Sequence, residues 1–251
     1  MEKIENTKND INIREAKTDG LYAFFEKNRK PLLISCVIIL VLLAGIIVTL
    51  LVGEAIQKDA IAKLDALAER YDKVKGDLNI ADGAAENGGE DLADTNTSVE
   101  AGDIETLLSD MRSFGESASG YPAARAWFMA ANIHYERGEW QESQDAWLAA
   151  AAKGASTHLA PVCLFNAAVV GETRGDTDFA LLNYQKTLSF GDFPAAAHAQ
   201  FSVGRLEEKK GDNEAAIAAY RAVIEKWPED TDWANLAHSR ILALEVIADG
   251  Q

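Results

Sequence analysis

The chain has only two cysteines and five prolines in 251 residues. So few cysteines exclude a disulfide scaffold and a cysteine-rich zinc module. Basic residues are short as well: 24 Lys+Arg stand against 40 Asp+Glu, a net charge of −16. Phosphate binding needs a basic surface, so this balance argues against a nucleic-acid partner. It argues equally against docking of the bulk surface on anionic lipid. The four histidines (His134, His158, His198 and His238) are scattered, and none lies four residues from another. No helical pair of metal ligands results. No local His/Cys pairing marks Cys163 as a thiol nucleophile, and it reads as a small core residue. Nucleophile-elbow, P-loop and dinucleotide glycine motifs are missing. The serines of Gly115–Gly120 have no base beside them and read as a helix end and turn. No catalytic residue, metal site or cofactor is expected, so function should lie in a surface.

Charge is absent altogether from Leu32 to Val52, a run of 21 residues reading LLISCVIILVLLAGIIVTLLV. A helix rises about 1.5 Å per residue, so this run spans about 30 Å, the thickness of a bilayer's hydrocarbon core. A buried core helix of that length would keep a polar face, and a cleaved signal would be shorter and nearer the N-terminus. Leu33-Ile34-Ser35-Cys36 has the form of a lipoprotein box, but too few apolar residues precede Cys36. Lys17, Lys27, Arg29 and Lys30 precede the run closely, against Lys58 and Lys63 after it. The excess predicts a cytoplasmic N-terminus and an exported C-terminal bulk. Residues 1–30 carry net charge +1, and residues 54–251 carry −17. Gly45, Thr49 and Gly53 share one helix face at four-residue spacing, a pattern suited to a partner helix or to plain lipid contact.

Beyond the run, residues 54–78 read as a continuing helix. Leu64, Leu67, Tyr71, Val74 and Leu78 form an apolar stripe for a short coiled coil or for packing on the domain beyond. From Gly76 to Gly102 there are five glycines, seven acids and no basic or aromatic residue. Such a stretch cannot bury enough surface to offset its ordering entropy, and residues 79–102 read as a self-repelling acidic tether. It lacks the alternating aspartates of a calcium loop. Asn96-Thr97-Ser98 has the form of a glycosylation sequon.

From Asp103 the chain repeats. Gly138, Gly175 and Gly211 are spaced by 37 and 36 residues, a period typical of stacked helix pairs. Seven residues before them stand Ala131, Ala168 and Gly204; five after stand Ser143, Ala180 and Ala216; nine after stand Trp147, Tyr184 and Tyr220. Small residues let two antiparallel helices approach, and an aromatic fills the remaining gap. Each glycine stops a first helix in a left-handed cap. Glu139, Asp176 and Asp212 follow, favourable at the N-terminus of a second helix. Pro122, Pro161, Pro194 and Pro228 mark the starts of first helices.

The segments Ala126-Trp127 … Tyr135-Glu136-Arg137-Gly138-Glu139-Trp140 … Trp147 and Ala222-Val223-Ile224-Glu225-Lys226-Trp227-Pro228 resemble the tetratricopeptide (TPR) repeat. The likeness covers about 124–230, with repeats two or three residues longer than the usual 34 and with Thr177 and Asn213 in place of the usual turn aromatic. It implies an α-solenoid over 103–251, and with the apolar run and its basic flank the expectation is an all-α protein: a transmembrane helix (31–53), then an extracytoplasmic α-solenoid. Repeats would fall at about 124–157, 161–194 and 197–230, with a closing helix at 231–248. The full layout, with Phe24-Phe25-Glu26-Lys27-Asn28-Arg29-Lys30 leading into the span, is similar to the membrane-anchored ancillary subunit of the bacterial Sec translocon (the YfgM type). That resemblance implies an inner-membrane adaptor whose partners are translocon subunits, chaperones or exported clients. A structural scaffold in envelope assembly or cell division is the alternative.

In arrays of this kind the first helices line the concave face. Phe128, Phe165 and Phe201 recur ten residues before the glycines and suit an apolar groove, with polar contacts from Asn132, Tyr135, Arg205 and Lys209. Two other roles fit the same rings: packing within each repeat, and a seat for the chain's own 103–118 helix. No basic carboxylate clamp appears as a set, so apolar or mixed segments are expected as ligands rather than acidic tails.

Overall fold

A computed structural model describes residues 28–77 and 101–249. Residues 1–27 with Phe24-Phe25, Leu78, the body of the acidic segment and the sequon all lie outside the described residues. Among the described residues the chain is all-helical. The helices are α1 (Arg29–Asp77), α2 (Ala101–Ser117), α3 (Gly120–Glu136), α4 (Trp140–Lys153), α5 (Leu159–Thr173), α6 (Thr177–Thr187), α7 (Ala196–Lys210), α8 (Asn213–Lys226) and α9 (Thr231–Asp249). They fall into two units, residues 1–59 and 60–251, with α1 crossing the boundary.

The first unit's described part is the apolar portion of α1. It is the one helix among the described residues long and apolar enough to cross a membrane. Its leucines, isoleucines and valines are exposed all round, Leu40 at 64% and Val41 at 65%. Polar side chains within it turn back on their own backbone. Ser35 Oγ donates to the Pro31 carbonyl, and Thr49 Oγ1 donates to the carbonyls of Gly45 and Ile46.

The second unit is built from successive helix pairs. Leu64, Leu67, Tyr71 and Val74 of α1 pack with Ile104, Leu107, Leu108 and Met111 of α2 against Ala126, Met129, Ala130 and Ile133 of α3. The stripe on residues 64–74 therefore packs on the array, and Arg70 reinforces it with a 2.6 Å ion pair to Asp110. Both flanks of the acidic segment 79–102, α1 from Leu64 and α2, belong to one packed unit. In sequence the acidic segment connects these two flanks. The α1 helix is described to Asp77, within the expected 54–78 helix, and α2 begins at Ala101, inside the expected 79–102 linker. Lys153 Nζ donates to the carbonyls of Glu116 and Ala118 at the end of α2, satisfying acceptors that a helix C-terminus leaves open.

Three further pairs follow: α3/α4, α5/α6 and α7/α8, with α9 closing the last. Each first helix ends in the same way. The amides of Gly138, Gly175 and Gly211 donate to the carbonyls of Tyr135, Glu172 and Glu208, and the next amides reach back to His134, Gly171 and Glu207. This is the Schellman arrangement, and each glycine has positive φ, from 71° to 84°. At Gly211 nothing lies within 4 Å of where a Cβ would stand, so a methyl group there meets only backbone strain. Gly211→Ala is expected to cost about 1 kcal/mol, read as a lower midpoint in thermal unfolding.

Second helices start by two different means. Asp176 accepts a bond from the Phe179 amide and Asp212 from the Ala215 amide. Glu139 makes no such cap and instead meets His134 Nδ1 at 2.6 Å and Arg137 at 2.8 Å. The shorter aspartate side chain reaches the third amide of the helix in a geometry that suits it as an N-cap.

Candidate protein-interaction surface

The repeated small residues do bring the paired helices together. Ala131, Ala168, Ser143, Ala180 and Ala216 are fully buried. In the first pair Ser143 Oγ donates to the Ala131 carbonyl at 2.9 Å. In the third, a Cβ on Gly204 would stand 2.6 Å from the Tyr220 ring. The aromatic positions Trp147, Tyr184 and Tyr220 sit in the core beside them.

Each predicted groove ring packs against the aromatic of its own repeat. Phe128 meets Trp147 edge-on at 4.9 Å, Phe165 meets Tyr184 at 5.3 Å, and Phe201 meets Tyr220 at 5.1 Å. Phe128 and Phe165 are buried. Both pack within their own repeats, one of the roles their spacing allows. Asn132 lies beside the Tyr71 hydroxyl of α1. Tyr135 is spent on an edge contact with Trp140 at 5.3 Å.

The remaining three residues converge. Phe201, Arg205 and Lys209 border an open cleft of about 390 Å³ with Glu208, Tyr220 and Arg240. Phe201 is only half-buried, and Lys209 is exposed and makes no ion pair among the described residues. The α2 helix does not lie there; it packs on α3 at the far end of the unit.

A second repeated device underlies this face. Glu172 accepts a 2.7 Å bond from the Tyr184 hydroxyl and two 2.6 Å bonds from Arg205 of the next repeat. One repeat on, Glu208 accepts from the Tyr220 hydroxyl at 2.9 Å and pairs with Arg240 of α9. Each clasp ties a first helix to its own second helix and to the next first helix. Sequence reasoning missed Glu172, Glu208 and Arg240. Their signal was present: both glutamates stand three residues before a marker glycine. In the first repeat Tyr135 holds that place, and no clasp forms.

Burial, with the neighbouring carboxylate, pushes the hydroxyls of Tyr184 and Tyr220 up, Tyr220 to about 12. Burial likewise raises Tyr71 to about 12. A group whose folded value is raised contributes stability below its unfolded value and loses it as pH rises through the folded one. The second unit is therefore expected to hold its stability to about pH 10 and lose it between about pH 10 and about pH 12. Denaturant midpoints measured across that range would show it, with Tyr220→Phe removing part of the loss.

No group of three or more His, Cys, Asp or Glu side chains among the described residues is placed to hold a metal. Burial raises the Cys163 thiol to about 12, which suppresses thiolate chemistry at neutral pH. In the membrane-length helix, Gly45 and Gly53 have nothing within 4 Å of an added Cβ, so the small-residue face meets no other helix among the described residues.

These features define a class: an α-helical repeat array whose recurring geometry is structural and whose free chemistry is a surface. Residues 172–231 match the tetratricopeptide repeat family. A TPR repeat-containing protein of Treponema pallidum (strain Nichols) is 36% identical over 144 residues, 57% of this chain and 60% of that protein. The chain thus matches less than two thirds of that relative's length. Two crystal structures of MamA resemble the fold at 21% identity and a TM-score of 0.42, covering 52% of this chain and 72% and 68% of theirs. TPR-like arrays generally serve as non-enzymatic scaffolds that bind other proteins.

Proposed function

We propose that the chain is a single-pass adaptor of the inner membrane, with the repeat array on the exported side binding envelope proteins. The observation that carries this reading is the apolar portion of α1. Sixteen Leu, Ile and Val residues lie between Leu32 and Val52, and the described ones are exposed on every face. Exposed apolar surface on that scale is costly in water and is satisfied in hydrocarbon. The basic excess before the run supports a cytoplasmic position for residues 1–30. Partners in the narrower form are translocon subunits, periplasmic chaperones or exported clients, engaged through the open cleft of α7 and α9.

Two measurements test it. The full chain should resist alkaline carbonate extraction, and protease added to spheroplasts should digest the array while sparing the N-terminal tail. Release by carbonate, or protection of the array, overturns the anchored reading. Crosslinks from a photoreactive group at Lys209 should then recover translocon subunits, chaperones or exported clients; recovery of cell-division machinery instead favours the scaffold role.

A further inference from the structure

The first turns of α7 and α9 are joined through one imidazole. His198 stacks on Trp233 with ring centres 4.2 Å apart and planes 13° from parallel. Its other neighbour is Phe165 of α5, edge-on at 5.0 Å. From α7, His198 therefore touches α5 on one side and α9 on the other. Trp233 in turn lies 5.3 Å from Phe201, the ring that borders the open cleft.

The charged groups around this imidazole come from each packed element. Glu172 faces it from α5, Arg205 from α7 itself, and Asp230 from the turn before α9. Glu172 is already bound to Arg205 and to the Tyr184 hydroxyl, so its charge is largely spent. A proton on His198 would add a second cation beside Arg205 in a half-buried slot between two rings.

We propose that the His198–Trp233 stack is an acid-sensitive latch: protonation of His198 loosens the first turn of α9 from α7 and uncovers the Phe201 side of the cleft. The imidazolium regains hydration by parting from Trp233, because a stacked indole, an edge-on phenyl ring and a fixed guanidinium border its slot. Burial holds the imidazole below its ordinary value of 6.5, with Arg205 adding to the effect. The sign follows. A closed state that disfavours the proton is stable above about pH 6.5 and gives way to the open state as pH falls below it. The consequence for partner binding rests on the adaptor reading; the latch itself does not.

Hydrogen exchange on the full chain in detergent, without any partner, tests the latch alone. Between about pH 7.5 and about pH 5, amides at 231–240 should exchange several-fold faster after correction for intrinsic rates, while those of α3 stay level. His198→Phe keeps an aromatic stack and cannot titrate, so its α9 exchange should be flat with pH. His198→Gln should be flat too, and serves where the phenylalanine overpacks. A flat wild type overturns the latch. So does an equal acid response in wild type and variants, which would mark general acid destabilisation. A His198 titration at or above 6.5 also overturns it, since the attraction of the indole face for a cation would then have won.

Discussion

Tyr220→Ala is expected to cost the second unit about 3–5 kcal/mol, in the range of large aromatic truncations in a core. Tyr220 is fully buried and packs in the cluster that joins α7, α8 and α9. Its ring closes against Gly204, where a Cβ would stand 2.6 Å away, and against Phe201. Truncation leaves a cavity at that crossing, and the unmutated helices cannot collapse into it without breaking the clasp between Glu208 and Arg240. Tyr220→Phe isolates the hydroxyl. It keeps the ring and removes one bond to Glu208, which Arg240 still satisfies, so its cost should be about 0.5–1.5 kcal/mol. Urea unfolding of the full chain in detergent gives both numbers. Equal costs for the two variants would show that the ring is not the wedge the structure makes it. In a stacked array each pair is stabilised by its neighbours, so the alanine variant should also release α9 first.

The spacing of Gly138, Gly175 and Gly211 carried most of the fold, because each cap is local. A left-handed residue needs only its own backbone and the preceding turn, so sequence periodicity reports it directly. The small and aromatic positions were legible for a related reason: they recur at fixed offsets, and close helix packing is the use that joins them. The clasps were harder. Glu172 and Arg205 are 33 residues apart, as are Glu208 and Arg240 within a residue, and a charged residue on a first helix reads equally well as solvated surface. Only the stacking distance between successive repeats decides that they meet.

The site was legible in part. Phe128, Phe165 and Phe201 recur together, yet the first two are buried and the third borders an open cleft. Identical spacing thus conceals different exposure. What distinguishes the third repeat is its neighbour: α9 contributes Trp233 and Arg240 to the cleft region, whereas the earlier repeats are covered by full helix pairs. The expected ligand chemistry shifts accordingly, from a stacked apolar groove toward a cleft that sets one half-exposed ring beside Arg205, Lys209 and Arg240. The acidic segment was legible in composition only. Its composition marks a stretch without a core, but composition does not say which helices it joins. That is decided by Leu64, Leu67, Tyr71 and Val74, which carry the array's first packing layer back into α1.

Three arginines at the middle of the apolar run, Leu40→Arg, Leu42→Arg and Leu43→Arg together, are expected to abolish membrane retention. Each charge at a helix centre costs about 2.5–3.5 kcal/mol on insertion, so three cost about 7.5–10.5. The 13 Leu, Ile and Val residues left between Leu32 and Val52 contribute about 0.3–0.6 kcal/mol each, or about 4–8 in all. The balance turns against insertion, and the chain should move from the carbonate-resistant pellet to the supernatant. The array should be indifferent to the change. Its described core clusters begin at Leu64, and none of the replaced residues belongs to them. Circular dichroism and thermal unfolding of the released variant should therefore show the same helical signal and the same midpoint for the second unit. If the triple variant stays with the membrane, the array itself binds there, and the apolar run is not the anchor. If it is released but unfolded, the apolar helix supports the array's fold, which the separation of the two sets of contacts speaks against.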